Sequence, residues 1–351
     1  MYTTKHTMAA KMKTPADVYR EGCRVVFLCA MWYTSSLFQN VINKHLFHEF
    51  PYPTTVSMAH MLSVAVFLGP VLTIWKVSPP EIIEKRKFYY LIIPLAFGKF
   101  FASISAEFSI LKVSVSFAHT VKATMPIFTV LLSRFILGEK QTSFVYLSLL
   151  PIICGVMVAT LTELSFDLAG LISALVATIT FALQNVYSKK ALCDIGIHHL
   201  RLLLILGQLS SAMLLPIWMV IDLRRILGDY ELHARISWLW VVSLLFLTGF
   251  LNFLQNIFAF SVLNLITPLS YSIANATKRI IIILLSLAML RNPVTMVNIA
   301  GMMTAIFGVF CYNLAKYHAN MQKKRPFLPN VTSEMFDIHA QDKRNGSMYQ
   351  V

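Results

Sequence analysis

Apolar runs of about 20 residues recur along the chain, separated by short polar stretches. At 1.5 Å of rise per residue, a helix of that length matches the roughly 30 Å hydrocarbon core of a bilayer. Ten such segments can be drawn: 25–43, 54–75, 88–110, 113–136, 144–161, 166–188, 202–221, 237–261, 267–290 and 294–315. The pattern predicts an all-α integral membrane protein with ten transmembrane helices.

The pattern also repeats. "QNVINK" (39–44) closes the first segment and "QNVYSK" (184–189) closes the sixth, a shift of 145 residues. Further on, "ILGEKQTSFVYLSLLPIICGV" (136–156) aligns without gaps with "MLRNPVTMVNIAGMMTAIFGV" (289–309). This second alignment has a shift of 153 and pairs Leu137 with Leu290, Thr142 with Thr295 and Gly155 with Gly308. Each half then holds five helices. Five is odd, so the halves enter the membrane in opposite senses, as an inverted repeat. The expected organisation is an N-tail at 1–24, a first repeat at 25–161, a second at 166–316, and a disordered C-tail at 317–351.

Composition agrees that the solvent is lipid: 57% of residues are hydrophobic, 13% are charged, and mean hydropathy is +0.65. The net charge of +14 would suit nucleic acid, but its distribution does not. With both termini in the cytosol, most Lys and Arg fall on that side: the N-tail, 76–87, the turn after the fourth segment, 189–201 and the C-tail. That is the positive-inside pattern, and it argues for a lipid partner and against nucleic acid. The loop "DLRRILGDYELHAR" (222–235) runs against it, with Asp222, Asp229 and Glu231 beside three Arg. Two glycosylation sequences, at Asn330 and Asn345, would remain unmodified in a cytosolic tail. The five Cys (23, 29, 154, 193, 311) are scattered, so they read as buried apolar side chains without disulfide or metal spacing. No cleavable signal peptide is evident, and Asp17 and Glu21 argue against a transit peptide.

Four cations interrupt the apolar segments: Lys99, Lys122, Lys278 and Arg279. Each costs roughly 2.5–3.5 kcal/mol at a helix centre. Lys122 and Lys278 lie too deep to snorkel, and Glu107 is the one in-segment acid at hand to offset them. Inverted repeats place binding sites at the midplane between the halves. Under the shift of 153, Lys122 maps to Asn275, three residues before Lys278, so Lys122, Lys278 and Arg279 are expected to converge. Adjacent cations facing a third suit a phosphate, with Arg279 as a fork and the lysines as point charges. Lys99 is expected to share this site or to meet Glu107 through water. Lys44 reads as an interfacial anchor, His119 as a hydrogen-bonded structural residue, and Glu139 as a helix-end charge. No acid pair, metal-ligand cluster or Ser/His/Asp set shares a depth, so neither an enzyme nor a cofactor is expected.

"SFAHTVKA" with the Pro and "LGE" that follow it, "SYSIANATKR", and "NKHLFHEFPYP" (43–53) together resemble the plastidic triose-phosphate/phosphate translocators. The resemblance covers about 20–316. It places the chain in the drug/metabolite transporter superfamily, with loops most similar to the E subgroup of solute carrier family 35. It implies that Lys122, Lys278 and Arg279 grip a substrate phosphate, and that a phosphorylated metabolite is exchanged for inorganic phosphate by alternating access. A family His and Thr that touch the carbon skeleton fall here at Ser103 and Ala106, and a family Tyr falls at Gln255. The resemblance therefore implies a retained phosphate grip with an altered skeleton pocket, and a substrate other than triose phosphate. The expected partners are an anionic small molecule, its counter-anion and the bilayer of Golgi or ER membranes, with self-association as a homodimer left open. Two rival readings stand beside this one: a nucleotide-sugar carrier of the same fold, and a non-transporting membrane scaffold or regulator.

Overall fold

The computed structural model describes residues 15–77, 84–266, 268–290 and 294–324. Asn330, Asn345 and most of the C-tail expected to be disordered lie outside the described residues. Ten helices are long and apolar enough to cross a membrane. They are α1 (Pro15–Glu49), α2 (Pro53–Ile74), α3 (Lys85–Lys112), α4 (Val115–Lys122 and Met125–Leu137), α5 (Ser143–Leu147 and Leu150–Leu161), α6 (Leu168–Ile195), α7 (His199–Gly228), α8 (Trp238–Leu265), α9 (Pro268–Leu290) and α10 (Met296–Lys324).

Every expected segment is present, but several ends move outward. The residues from Pro15 to 24, assigned to the N-tail, belong to α1, and α1 also absorbs His45–Glu49. α6 runs to Ile195 and α10 to Lys324, beyond the boundary drawn at 316. Apolar content marks only the part of a helix inside hydrocarbon. The helix itself continues into polar sequence, because its backbone hydrogen bonds are made internally wherever it goes. The run 222–235 is likewise helical: it completes α7 and adds a short helix, Tyr230–Arg235, capped by Asp229, whose Oδ1 accepts from the Leu232 amide at 2.9 Å. Asp222 is no loop acid. It is buried, and its Oδ2 accepts from the amide (2.7 Å) and hydroxyl (2.9 Å) of Thr55 in the first turn of α2. Cys23 and Cys154 lie exposed on the outside of the bundle rather than in its interior.

Helix pairing follows the sequence duplication. α1 packs along α8 as α3 packs along α6, α2 meets α8 as α7 meets α3, and α4 meets α6 as α9 meets α1. The pairs α2 with α7, α4 with α9 and α5 with α10 map onto themselves when the halves are exchanged. Among the glycines, the tightest backbone contacts lie between α5 and α10. A Cβ on Gly155 would sit 2.2 Å from the Ala305 nitrogen, and one on Gly308 would sit 2.6 Å from that of Ile152. Those two contacts interchange under the same shift of 153 found in the sequence. Small residues are what let two helix backbones approach so closely in lipid.

Prolines break two of the helices. α4 is interrupted at Ala123–Thr124 and α5 at Ser148–Leu149, three residues or fewer before Pro126 and Pro151. A proline has no N–H to offer the carbonyl four residues back, so Pro126 leaves the Lys122 carbonyl without its helical partner.

The two ends of the bundle are unlike. We call the end bearing Pro15 and Lys324 the terminal end and the other the distal end. At the distal end Leu46, Phe47 and Phe50 pack with Ile110, Val115 and Ile282 in one buried cluster, joining α1 to α3, α4 and α9. α1 touches both α3 and α4, whereas among the described residues α6 makes at most glancing contact with α8 and α9, the corresponding helices of the other half. The distal end is shut.

Candidate functional site

A cavity of about 400 Å³ lies between the halves, with walls from α1, α2, α3, α4, α6, α8 and α9. Lys122 and Lys278 both face it, as do Ser103, Ala106, Gln255 and Asn275. The Lys122 ammonium lies over the Phe181 ring, 4.3 Å from its centroid, and that of Lys278 lies over Trp32 at 4.6 Å. Trp32 is itself stacked on Tyr271, centroids 5.4 Å apart, and Tyr33 donates to the Ala274 carbonyl at 2.8 Å. These contacts pin α1 to α9 beside Lys278. Among the described residues, neither ammonium has a carboxylate within 4.0 Å.

Arg279 departs from the expected convergence. Its Nη1 donates to the Lys122 carbonyl at 2.8 Å, the group that Pro126 leaves unpaired. The guanidinium faces an adjoining cavity of about 180 Å³ between α4, α9 and α10, which shares Tyr271 and Asn275 with the first. Neighbouring residues on a helix point about 100° apart, so Lys278 and Arg279 cannot both face one cavity squarely. Arg279 braces the break that carries Lys122.

Lys99 also departs. It does not line the main cavity; it lies on α3 one turn from Ser103, on the terminal side. Nor is Glu107 directed to it. The buried Glu107 accepts from Asn43 Nδ2 at 2.9 Å through Oε2, and its Oε1 lies 3.4 Å from His60 Nδ1. His60 Nε2 in turn meets Thr248 Oγ1 at 3.1 Å, Thr248 donates to Asn43 Oδ1, and Gln255 donates to Gln39 Oε1. This network joins α1, α2, α3 and α8, and its Gln39, His60, Glu107 and Gln255 form a polar wall of the same cavity. It engages the nearby carboxylate with neutral and imidazole partners, so the two lysines face the cavity with no carboxylate hydrogen-bonded to them among the described residues. His119, expected as structural, meets Asn40 Oδ1 at 3.2 Å and faces the cavity as well.

Lys44 is neither an interfacial anchor nor part of the cavity wall. Its Nζ donates to the carbonyls of Ile110 (2.9 Å), Leu111 (3.3 Å) and Val113 (3.0 Å), at the C-terminal end of α3.

Of this polar wall the sequence singles out Gln255, and the fold adds Gln39, His60, Asn252 and Asn256. Asn252, Gln255 and Asn256 recur at three- to four-residue spacing on α8 and all face the cavity, which is the signal that marks one helix face. The aromatic rings under the two ammoniums carried no such signal, because Trp32 and Phe181 read as ordinary apolar residues.

A cavity between two halves, two unpaired ammoniums and a polar wall describe a site for a hydrophilic anion. The comparisons with known proteins bear on which family builds it. Residues 23–313 match the Triose-phosphate Transporter family. The chloroplastic triose phosphate/phosphate translocator of Flaveria trinervia is 31% identical over 85% of this chain and 73% of its own length. Glucose-6-phosphate/phosphate translocator 1 of Arabidopsis thaliana, also chloroplastic, is 32% identical over 88% and 79%. Phosphoenolpyruvate/phosphate translocator 1 of Oryza sativa subsp. japonica is 32% identical over 82% and 71%. With the match spanning all ten helices, the chain belongs to the Triose-phosphate Transporter family.

Proposed function

We propose that this protein is an antiporter that exchanges a phosphorylated organic anion for inorganic phosphate by alternating access between two five-helix halves, 25–161 and 166–316. The observation that carries this reading is the pair of ammoniums, Lys122 and Lys278, facing one midplane cavity without a carboxylate partner. A phosphate dianion supplies what they lack, and charge-assisted contacts to its oxygens are short and strong. Arg279 adds a third positive charge at close range and holds the backbone of Lys122 in place. Ser103, Gln255 and Asn275 meet the rest of the substrate; an amide- and hydroxyl-lined wall suits a hydroxylated skeleton that hydrogen-bonds along its length. Lys99 lies one turn beyond the cavity, where it adds positive potential on the terminal side.

The names of the relatives, all phosphate translocators, support the phosphate half of the exchange. The chemistry proposed is translocation, with no covalent step and no cofactor. We place both tails in the cytosol on the strength of the positive-inside bias. We place the protein in Golgi or ER membranes from the likeness of its loops to solute carrier family 35, although the relatives named above are chloroplastic.

Exchange of labelled inorganic phosphate in proteoliposomes tests the reading. Vesicles loaded with phosphate should take up label, and Lys122→Gln or Lys278→Gln should lower that uptake by about tenfold or more, the loss of at least ~1.4 kcal/mol of binding. Uptake that survives both substitutions would show that the anion is held elsewhere.

A further inference from the structure

We propose that the smaller cavity beside Arg279 is a second phosphoryl subsite, so that the carrier takes an organic diphosphate whose two linked phosphoryl groups occupy both cavities. The inference rests on the phosphate reading above and narrows its substrate class. The smaller cavity, of about 180 Å³, lies between the second half of α4, α9 and α10, and it shares Tyr271 and Asn275 with the main one. A water molecule's share of liquid volume is about 30 Å³, so a tetrahedral phosphoryl group has room there. Lys316 lies about two turns before Lys324 on α10, which puts this subsite on the terminal side of the main cavity. Lys278 and Arg279 are consecutive on α9, with Cα atoms about 3.8 Å apart. The two subsites therefore adjoin, with no long spacer needed between the groups they hold.

The chemistry of the smaller cavity copies that of the larger. The Lys316 ammonium sits 5.4 Å from the centroid of the Tyr312 ring and donates to the Tyr312 hydroxyl at 3.0 Å. Like Lys122 and Lys278, it rests by an aromatic ring and has no carboxylate within 4.0 Å among the described residues. Arg279 faces it across the cavity. A guanidinium carries five N–H donors, and the bond from Nη1 to the Lys122 carbonyl uses one of them, which leaves others for a ligand's oxygens. The second half of α4 also begins here: Met125, Pro126 and Thr129, in its first turns, line the cavity. The positive end of a helix dipole adds to the attraction for an anion. One orthophosphate in the main cavity leaves Lys316 unmatched. A second phosphoryl group tethered to the first meets it at high effective concentration, without a separate binding event.

Thermal-shift titrations of the detergent-purified protein in metal-free buffer test this, with pyrophosphate and orthophosphate as the probes. Pyrophosphate should bind at least about tenfold more tightly, which is ~1.4 kcal/mol and within the worth of one charge-assisted contact. Lys316→Gln should cut that ratio to about threefold or less. Thr129→Met, which fills the small cavity without changing charge, should do the same. Lys87→Gln removes an exposed terminal-side cation that lines neither cavity, and it should leave the ratio where it was. Equal affinity for the two probes overturns the proposal. So does a ratio that Lys87→Gln lowers as much as Lys316→Gln, the mark of net charge alone. Equilibrium dialysis with labelled orthophosphate separates one linked ligand from two free ions. Two orthophosphates per chain with no preference for pyrophosphate would mean separate ions and also overturn it. Thr129→Met keeps the test decisive if Lys316→Gln fails to fold. If pyrophosphate binds with the expected preference but phosphate exchange is never found, the transport reading fails while the subsite stands. Phosphate exchange without that preference has the opposite meaning, and stabilisation by neither probe overturns both.

Discussion

Lys122 and Lys278 each rest on an aromatic face, at 4.3 and 4.6 Å. Such a contact returns about 0.5–2 kcal/mol, less than the roughly 2.5–3.5 kcal/mol that burying a Lys in a membrane helix costs. The shortfall is the opening for a ligand. That these two lysines matter is legible in the sequence, because a charge inside an apolar run is its own signal. The direction of Arg279 is legible only once its position next to Lys278 is read as an angle, about 100° around the helix. Its bond to the Lys122 carbonyl gives a test. Arg279→Gln should destabilise the protein by about 1–3 kcal/mol, the penalty for a buried acceptor left unpaired. Pro126→Ala restores the missing N–H, so adding it to Arg279→Gln should recover most of the lost melting temperature in detergent. Melting that stays low in the double variant would mean that Arg279 is not acting as the brace. Gln255 tests the other wall. Its side chain is tied to Gln39 and not to either ammonium, so Gln255→Tyr should reorder the preference among phosphate esters in competition assays while inorganic phosphate competes as before. A collapse of phosphate competition would place Gln255 at the wrong part of the site.

At the scale of elements, the apolar pattern located all ten helices but not their ends, since the hydrocarbon boundary and the helix boundary are set by different physics. Lipid exclusion sets the first, and capping and packing set the second. Asp222 shows the limit well: in sequence it is one acid in a charged loop, and in the fold it caps α2 from the end of α7. No local pattern encodes a contact across 167 residues. The glycines of α5 and α10 were legible as a matched pair, yet their purpose needed the fold. Gly155→Ala and Gly308→Ala each push a methyl into backbone at 2.2 and 2.6 Å. Each should destabilise by about 1–3 kcal/mol, the usual cost of overpacking, and because the sites are related by the repeat the two losses should be similar. Gly69 provides the contrast. A Cβ there meets nothing within 4 Å, so Gly69→Ala near the C-terminal end of α2 should be neutral or stabilising by up to about 1 kcal/mol. Thermal unfolding of the three variants decides it; equal effects at Gly69 and Gly308 would show that the α5–α10 contact is not tight.

For the whole molecule, the duplication explains why one sequence shift serves three purposes: it pairs the helices, it pairs Gly155 with Gly308, and it brings Lys122 and Lys278 to one cavity from opposite halves. The state of the gates was not legible, because an inverted repeat encodes both arrangements equally and only the fold shows which one is present. Here the distal end is the closed one. Turnover has to pass through an occluded state in which both ends are shut and the site loses its water. An empty site would then hold Lys122, Lys278 and the nearby Arg279 dehydrated, mutually repelling and without an anion, with Glu107 committed to Asn43 and His60. An uncompensated buried charge costs several kcal/mol, and each ~1.4 kcal/mol added to the barrier slows the step about tenfold. A bound dianion removes that penalty, so the loaded carrier crosses freely and the empty one is held back. Strict exchange then follows from electrostatics without any further lock. In proteoliposomes, labelled phosphate should enter at least about a hundredfold faster when phosphate waits inside than when the vesicles hold only a neutral sugar, for a barrier difference of ~2.8 kcal/mol. Equal rates into loaded and empty vesicles would mean that the cation cluster does not limit the return of the empty carrier, and that the protein is a uniporter built on an exchanger's frame.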